Sequence, residues 1–183
     1  GDLSKLEKLC RAIIRFQPEN SSALAMLDEL QSKTQNKTDL DDPPGKDLKA
    51  LSKLIHSGDW SAFERSVATL SKNYPNSSAL HNYKGLACKE KKDLKAAMEE
   101  FRSAIELNPN SEEALFNLAD AQKELGNYGS AVSNYIAVIS LNPKNAEAHH
   151  NKGVAELHLN ESNQAIQSFD KALRINPTMG SAY

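Results

Sequence analysis

One short phrase recurs at a constant interval in the C-terminal half of this 183-residue chain. The phrase ends in Asn-Pro, and its prolines are Pro109, Pro143 and Pro177 (143 − 109 and 177 − 143 are both 34). An interval of this size is typical of stacked supersecondary units, each of which buries its apolar face against its neighbours. We therefore expect the chain to fold as an array of similar units.

Small and aromatic residues recur at the same interval, so that each unit has them at equivalent positions. The spacing of apolar residues predicts two helices per unit, and the proline ends the second helix because it has no backbone N–H to donate. Small residues would let the paired helices approach closely, and a ring would fill the space that they leave. These columns are Gly85, Ala119 and Gly153; Ala97, Ala131 and Ala165; and Phe101, Tyr135 and Phe169.

This combination of interval, small residues, ring and closing proline resembles the tetratricopeptide repeat family. The resemblance covers about residues 47–177 well and the first 32 residues loosely. It implies an all-α fold, a right-handed α-solenoid (superhelix) of stacked antiparallel helix pairs. It also implies that partner peptides bind on a concave surface lined mainly by the first helix of each pair.

The repeat pattern divides the chain into segments, because it is regular in some parts, weak in others and absent from one. A polar stretch that contains Pro43-Pro44-Gly45 cannot bury surface and predicts a flexible linker or loop. In the unit before Pro75, Phe63 and Val67 exchange the small and large positions, which indicates a degenerate repeat. The expected segments are 1–32, a partial repeat of two helices; 33–46, the linker; 47–77, the degenerate repeat; 78–111, 112–145 and 146–179, three regular repeats; and 180–183, the start of a further, truncated repeat helix.

Composition argues against several classes of function. The formal net charge is −2 with both signs interspersed, which is not typical of a nucleic-acid-binding surface. No apolar run approaches the roughly 18 residues of a membrane-spanning helix. Cys10 and Cys88 lie on apolar helix faces, which predicts buried thiols rather than a disulfide framework. We expect a cytoplasmic (intracellular) protein without nucleic-acid or membrane partners.

Nothing in the sequence predicts catalysis, a metal site or a cofactor. There is no nucleophile with a nearby histidine, no Gly-rich phosphate loop and no obvious carboxylate pair. His150 and His158 lie eight residues apart on one predicted helix, about 12 Å along its axis. That distance is too long for two ligands of one metal ion. The chain is therefore expected to be non-enzymatic.

The predicted first helices supply the candidate binding residues. Asn117 and Asn151 occupy equivalent positions, and an amide side chain can both donate to and accept from a peptide backbone. Successive repeats could present such amides along an extended ligand. The candidate residues of the concave surface are Asn82, Tyr83, Phe116, Asn117, Asp120, Lys123, His150 and Asn151.

One subclass of the family binds the acidic C-terminal tails of heat-shock chaperones through a clamp of Lys, Asn and Arg. At the matching positions only Asn117 fits, and Glu147 would repel a carboxylate, so a chaperone tail is not the expected partner. We expect a scaffold or adaptor that binds a partner peptide or helix within a multi-protein assembly. Two alternatives remain: a regulatory or substrate-recruiting region of a larger enzyme, and a structural module that self-associates through the ends of a truncated array.

Overall fold

The structure is a computed structural model, and it describes residues 3–16, 19–30 and 42–178. The regular secondary structure of these residues is helical, and no strand occurs among them. The chain divides into two compact units, residues 1–42 and 43–183. Residues 31–41 and 179–183 are not described. Most of the expected linker (33–46) and all of the expected last helix (180–183) therefore lie outside the described residues.

The first unit contains α1, Leu3–Phe16, and α2, of which residues 21–30 are described. The backbone N–H of Ala23 donates to Asn20 Oδ1 at 3.0 Å, so Asn20 caps α2. Cys10 in α1 and Leu30 in α2 are both buried.

The second unit is built from antiparallel helix pairs that stack in chain order. Helices that are neighbours in sequence pack against each other, with much less contact between α4 and α5 than elsewhere, and the odd-numbered helices, here called the first helices, also contact one another along one side. This arrangement confirms the predicted all-α solenoid, whereas the repeat boundaries remain a prediction. The helices are α3 Gly45–Ser57, α4 Trp60–Asn73, α5 Ser78–Glu90, α6 Leu94–Leu107, α7 Glu112–Glu124, α8 Tyr128–Leu141, α9 Ala146–His158 and α10 Ser162–Ile175.

Short polar residues begin these helices in a repeating way. Ser77, Ser111 and Asn145 precede α5, α7 and α9, and each accepts a hydrogen bond from the backbone N–H three residues later, at 3.0, 3.3 and 2.9 Å. Asp59 and Asp93 cap α4 and α6 in the same manner, at 3.0 Å each. Such bonds satisfy backbone donors that have no partner inside the helix.

The turn inside each helix pair contains one residue with a left-handed backbone. These residues are Gly58, Lys92, Gly126 and Asn160, with φ of 71°, 64°, 77° and 63°. Glycine adopts this conformation without steric cost and asparagine tolerates it, but a lysine side chain does not favour it. The Lys92 turn is therefore the most strained of the four.

The small residues and the rings of the repeating pattern meet in the core. A Cβ built on Gly85 would lie 2.4 Å from the Phe101 ring, and a Cβ built on Gly153 would lie 2.8 Å from the Phe169 ring. Both contacts are far too short for a real side chain. In the middle pair Ala119 and Tyr135 are completely buried. The close approach that the sequence predicts is therefore present at the paired helices.

The asparagine of the recurrent Asn-Pro phrase has its own structural role, which the sequence reasoning missed. Asn108, Asn142 and Asn176 directly follow the second helices. The side-chain Oδ1 of each accepts a hydrogen bond from the backbone N–H two residues later, at 3.2 Å in all three cases. This local turn directs the chain away from the helix. Both residues of the phrase therefore contribute to ending the second helix.

Candidate binding groove

The first helices of the second unit enclose a concave cavity of about 600 Å³, here called the groove. All of its described lining comes from α3, α5, α7 and α9 or from the residues that cap them. It therefore crosses four successive helix pairs rather than lying within one. The lining residues are Ser52; Asn82, Tyr83 and Leu86; Ser111, Glu112, Glu113, Phe116 and Asn117; and Asn145 and Glu147.

Two aromatic rings form part of the groove wall. Tyr83 on α5 and Phe116 on α7 are each partly buried, so one side of each ring is held by the core. The Phe116 ring meets the buried Tyr135 ring nearly edge-on, with centroids 5.8 Å apart and an interplanar angle of 66°. Partial burial and the nearby Glu113 carboxylate raise the pKa of the Tyr83 hydroxyl. These rings are rigid apolar surfaces that a ligand can contact.

The two groove asparagines bind each other. Asn117 donates from Nδ2 to Asn82 Oδ1 at 2.9 Å, and Asn82 is only 4% exposed. Within the described part of the chain, nothing donates to the carbonyl oxygen of Asn117. An amide side chain has two N–H donors and one carbonyl acceptor, so Asn117 keeps hydrogen-bonding capacity for a ligand.

The groove carboxylates have two different environments. Glu112 Oε1 accepts hydrogen bonds from Asn142 Nδ2 at 2.9 Å and from Asn145 Nδ2 at 2.8 Å, which ties the start of α7 to the connection between α8 and α9. Glu113 and Glu147 are exposed, and no cation of the described residues forms an ion pair with either of them. The groove therefore has negative charge that its own described lining does not neutralise.

Farther along the first helices, the charges are paired. Asp120 on α7 contacts the ammonium groups of Lys89 and Lys123, and Lys89 also contacts Glu124 at 2.9 Å. The Tyr135 hydroxyl donates to Asp120 Oδ1 at 3.3 Å. Burial by itself would raise the pKa of the Asp120 carboxyl, but the two lysines outweigh that effect and hold the pKa below its ordinary value. Asp120 and Lys123 are therefore engaged with other residues of the chain.

The predicted surface residues consequently fall into three groups. Asn82, Tyr83, Phe116 and Asn117 line the groove together. Asp120 and Lys123 lie in the ion-pair network beside it. On α9, His150 packs against the Phe169 ring with centroids 5.4 Å apart, and neither His150 nor Asn151 is among the groove lining.

Sequence reasoning used Glu147 only to argue against an acidic tail, and it included neither of the two exposed groove glutamates among the candidate binding residues. A usable signal was present, because Glu113 lies four residues before Asn117 and Glu147 lies four residues before Asn151. Residues four apart share one face of a helix. These glutamates are in the first turns of α7 and α9, where acidic residues also suit the helix dipole.

Neither a metal site nor a membrane span is found in the described part of the chain. No group of three or more His, Cys, Asp or Glu side chains there is arranged to hold a metal ion. None of the helices in the same part has both the length and the hydropathy needed to cross a bilayer.

Two protein-family models of the same type of repeat match this chain. Residues 116–179 match a model described as tetratricopeptide repeat, and residues 85–126 match a second model described as TPR repeat. Together the two matches extend over residues 85–179, about half of the chain. No sequence among the curated proteins matches this chain.

Several solved structures share the fold. MamA is 18% identical over 100% of this chain and 96% of its own, with a TM-score of 0.63. The pilF protein of Pseudomonas aeruginosa is 20% identical over 73% of this chain and 61% of its own, with a TM-score of 0.68. The second TPR of Spaghetti (RPAP3), solved bound to the HSP90 peptide SRMEEVD, is 20% identical over 54% of this chain and 92% of its own, with a TM-score of 0.53.

Proposed function

Because the chain belongs to the tetratricopeptide repeat family, we propose that it is an interaction module that holds a segment of a partner protein in the groove. The observation that carries this proposal is the groove itself. It is a cavity of about 600 Å³ to which four successive first helices contribute aromatic, amide and carboxylate side chains. Such mixed surfaces suit a protein segment, which presents both a polar backbone and side chains.

The groove residues have complementary roles in this proposal. Tyr83 and Phe116 contact apolar parts of the ligand, since their rings are already held by the core and lose little freedom on binding. Asn117 pairs with the ligand backbone through the capacity that its bond to Asn82 leaves. Asp120 and Lys123, fixed by their ion pairs, form the adjoining wall, and a longer ligand would continue toward His150 and Asn151.

A structure of the same fold supports a peptide ligand by analogy. The second TPR of RPAP3 was solved bound to the peptide SRMEEVD, whose C-terminal half is acidic. In the present chain the groove lining contains Glu112, Glu113 and Glu147 and no lysine or arginine. Repulsion between like charges argues against an acidic tail as the natural ligand here. The proposed module therefore uses the fold for a different class of segment.

The proposal includes a non-catalytic role in a cytoplasmic multi-protein assembly, as the sequence predicts. Recruitment by such a module needs only reversible binding, which the side chains of the groove can provide. Fluorescence imaging of the tagged chain in cells tests the location, and an exclusively extracellular signal would overturn that part of the proposal.

A substitution that fills the groove tests the binding function. Ser52 is a small lining residue on α3, so Ser52→Trp would occupy the cavity without removing any hydrogen bond described for its side chain. Ser61→Trp on α4 is the matched control, because Ser61 is exposed and outside the lining. We expect wild type and Ser61→Trp to recover the same partners in quantitative pull-downs, whereas Ser52→Trp loses them.

Circular dichroism must show that both variants remain folded. Equal recovery of partners by Ser52→Trp and wild type, with helicity unchanged, would contradict binding in the groove.

A further inference from the structure

The groove lining has an excess of one charge. Three glutamates contribute to it, and no lysine or arginine does. Glu112 is held by two amides, but Glu113 and Glu147 have no ion-pair partner among the described residues. A few residues away on the same helices, Asp120 is neutralised by Lys89 and Lys123. On the concave side of the second unit, the charges beside the groove are therefore paired, whereas the negative charges of Glu113 and Glu147 inside the groove are not paired with any described residue.

We propose that the partner segment is basic, with lysine or arginine side chains that reach Glu113 and Glu147 and pack against the rings of Tyr83 and Phe116. This inference rests on the proposed function, because it specifies the ligand of the same groove. Its occupant is an extended, positively charged segment of another protein.

The positions of the two glutamates favour a ligand that runs across the helices. Glu113 and Glu147 occupy equivalent sites on α7 and α9, which are neighbouring first helices. Packed helices have axes about 8–10 Å apart. An extended chain covers that distance in about three residues, so one segment can bring two basic side chains, a few residues apart, to the two carboxylates.

The aromatic rings add a second reason for a cation. A guanidinium or ammonium group is attracted to the face of an aromatic ring, most strongly where water is partly excluded. Tyr83 and Phe116 are partly buried and line the same cavity as the glutamates. A planar arginine can stack on a ring and donate to a carboxylate at once. Negative charge next to aromatic faces therefore favours a basic side chain over a neutral one.

The ligand class can be identified without knowledge of the natural partner. The wild-type protein is used to select binders from a random-peptide display library, and the enriched peptides are sequenced. We expect enrichment of lysine and arginine and depletion of aspartate and glutamate relative to the unselected library. Enrichment of neutral or acidic peptides that compete for the groove would overturn the basic-ligand proposal.

Affinity measurements then test the role of the two glutamates. A selected basic peptide is synthesised with a fluorescent label, and its anisotropy is measured with the wild type, with Glu113→Gln/Glu147→Gln, and with the control Glu106→Gln/Asp170→Asn. The control removes the same charge from exposed positions on α6 and α10, outside the groove. We expect the groove variant to bind about 3- to 30-fold more weakly and the control less than about twofold more weakly.

Salt provides an independent measurement on the same proteins. Raising NaCl from about 0.05 M to about 0.5 M shortens the Debye length and should weaken binding to the wild type more than binding to the groove variant. Parallel salt dependences would overturn the proposal that these carboxylates recognise the ligand. A thermal melt of each variant shows whether it is folded at the temperature of the binding assay.

Two failures can be distinguished. If Ser52→Trp leaves the binding of selected peptides unchanged, the groove is not the binding surface, and the proposed function falls together with this inference. If Ser52→Trp abolishes binding while Glu113→Gln/Glu147→Gln does not weaken it, the groove binds peptides but does not select basic ones.

Discussion

The amide of Asn117 donates a hydrogen bond to Asn82 Oδ1 at 2.9 Å and so joins α7 to α5 at the wall of the groove. Asn82 is almost completely buried, with 4% of its surface exposed. The side chain that we propose to contact the ligand backbone therefore also stabilises the packing of two successive repeats. Binding and stability are coupled at this position.

Removal of the Asn117 side chain should consequently destabilise the protein. Asn117→Ala leaves the buried Asn82 carbonyl without its donor, and an unsatisfied buried polar group costs about 1–3 kcal/mol in the free energy of unfolding. Asn151→Ala is the matched control, because no described residue hydrogen-bonds to Asn151. It should change stability by less than about 0.5 kcal/mol. Urea denaturation followed by circular dichroism measures both, and equal losses would contradict this role of the Asn117 bond.

The turn at Lys92 offers a way to stabilise the protein. Its φ of 64° is the left-handed conformation that glycine adopts freely and that costs other residues about 1–2 kcal/mol. We expect Lys92→Gly to raise the free energy of unfolding by about 0.5–1 kcal/mol, since the flexibility of glycine in the unfolded chain offsets part of the gain.

The same substitution inside a helix should have the opposite effect. Lys95 is exposed in the first turn of α6, where glycine is less favourable than a good helix former such as lysine. Thermal melts of Lys92→Gly and Lys95→Gly should therefore shift in opposite directions. A loss of stability in both would mean that the Lys92 turn is not strained.

The glycine column provides a test of core packing. Gly153→Ala would place a Cβ 2.8 Å from the Phe169 ring, and Gly153→Leu would require larger shifts. Overpacking of this kind costs about 1–3 kcal/mol, and we expect leucine to be worse than alanine. Gly129→Ala on α8 is the control: a Cβ there meets nothing within 4 Å, and alanine is the better helix former. Melting temperatures should fall at Gly153 and rise slightly at Gly129; an unchanged value for Gly153→Leu would contradict the close contact.

The repeat fold was predictable because its causes are local and recur along the sequence. Gly85 and Phe101 lie in one helix pair, so their spacing alone indicated that they meet, and the structure shows the Phe101 ring against Gly85. The presence of Asn82, Tyr83, Phe116 and Asn117 on first helices also followed from helical spacing.

The contacts between repeats could not be predicted in the same way. Whether Asn117 meets Asn82 or Tyr83 of the preceding repeat depends on the rotation between helix pairs, which no residue column specifies. The same rotation brings Asp120 within reach of Lys89, so a residue that looked available to a ligand is neutralised within the chain. Glu113 and Glu147 also line one groove because of this rotation, and the sequence alone did not bring them together.

The Asn-Pro phrase leads to a prediction about how the end of α8 is joined to the start of α7. Asn142 makes the local turn bond to the backbone N–H of Lys144, and it also donates to Glu112 Oε1 at 2.9 Å. Asn108 makes only the corresponding turn bond among the described contacts of its side chain. Asn142→Ala should therefore cost about 1.5 kcal/mol more than Asn108→Ala, the lower end of the contribution of one charge-assisted hydrogen bond.

A double-mutant cycle with Glu112→Gln isolates that bond. The extra cost of Asn142→Ala should shrink when Glu112 has lost its charge, whereas the cost of Asn108→Ala should not change. Denaturant midpoints give all of these values, and identical costs for the two asparagines would contradict a link through Glu112.

The ion pairs of Asp120 should make stability depend on pH on the acidic side. Lys89 and Lys123 hold the pKa of the folded Asp120 carboxyl below its ordinary value, although burial acts in the opposite direction. A group whose pKa is lower in the folded state stabilises the protein above its unfolded pKa, about 3.9 for aspartate, and this stabilisation is lost as the pH falls through the folded value.

Asp120→Asn removes the titrating group, so the loss of stability between about pH 5 and pH 2 should be smaller than in the wild type. Asp170→Asn, at an exposed position on α10, should leave that pH dependence unchanged. Urea denaturation across this pH range measures the difference, and the same acid-side slope in Asp120→Asn and wild type would show that the carboxylate gains nothing from its two lysines.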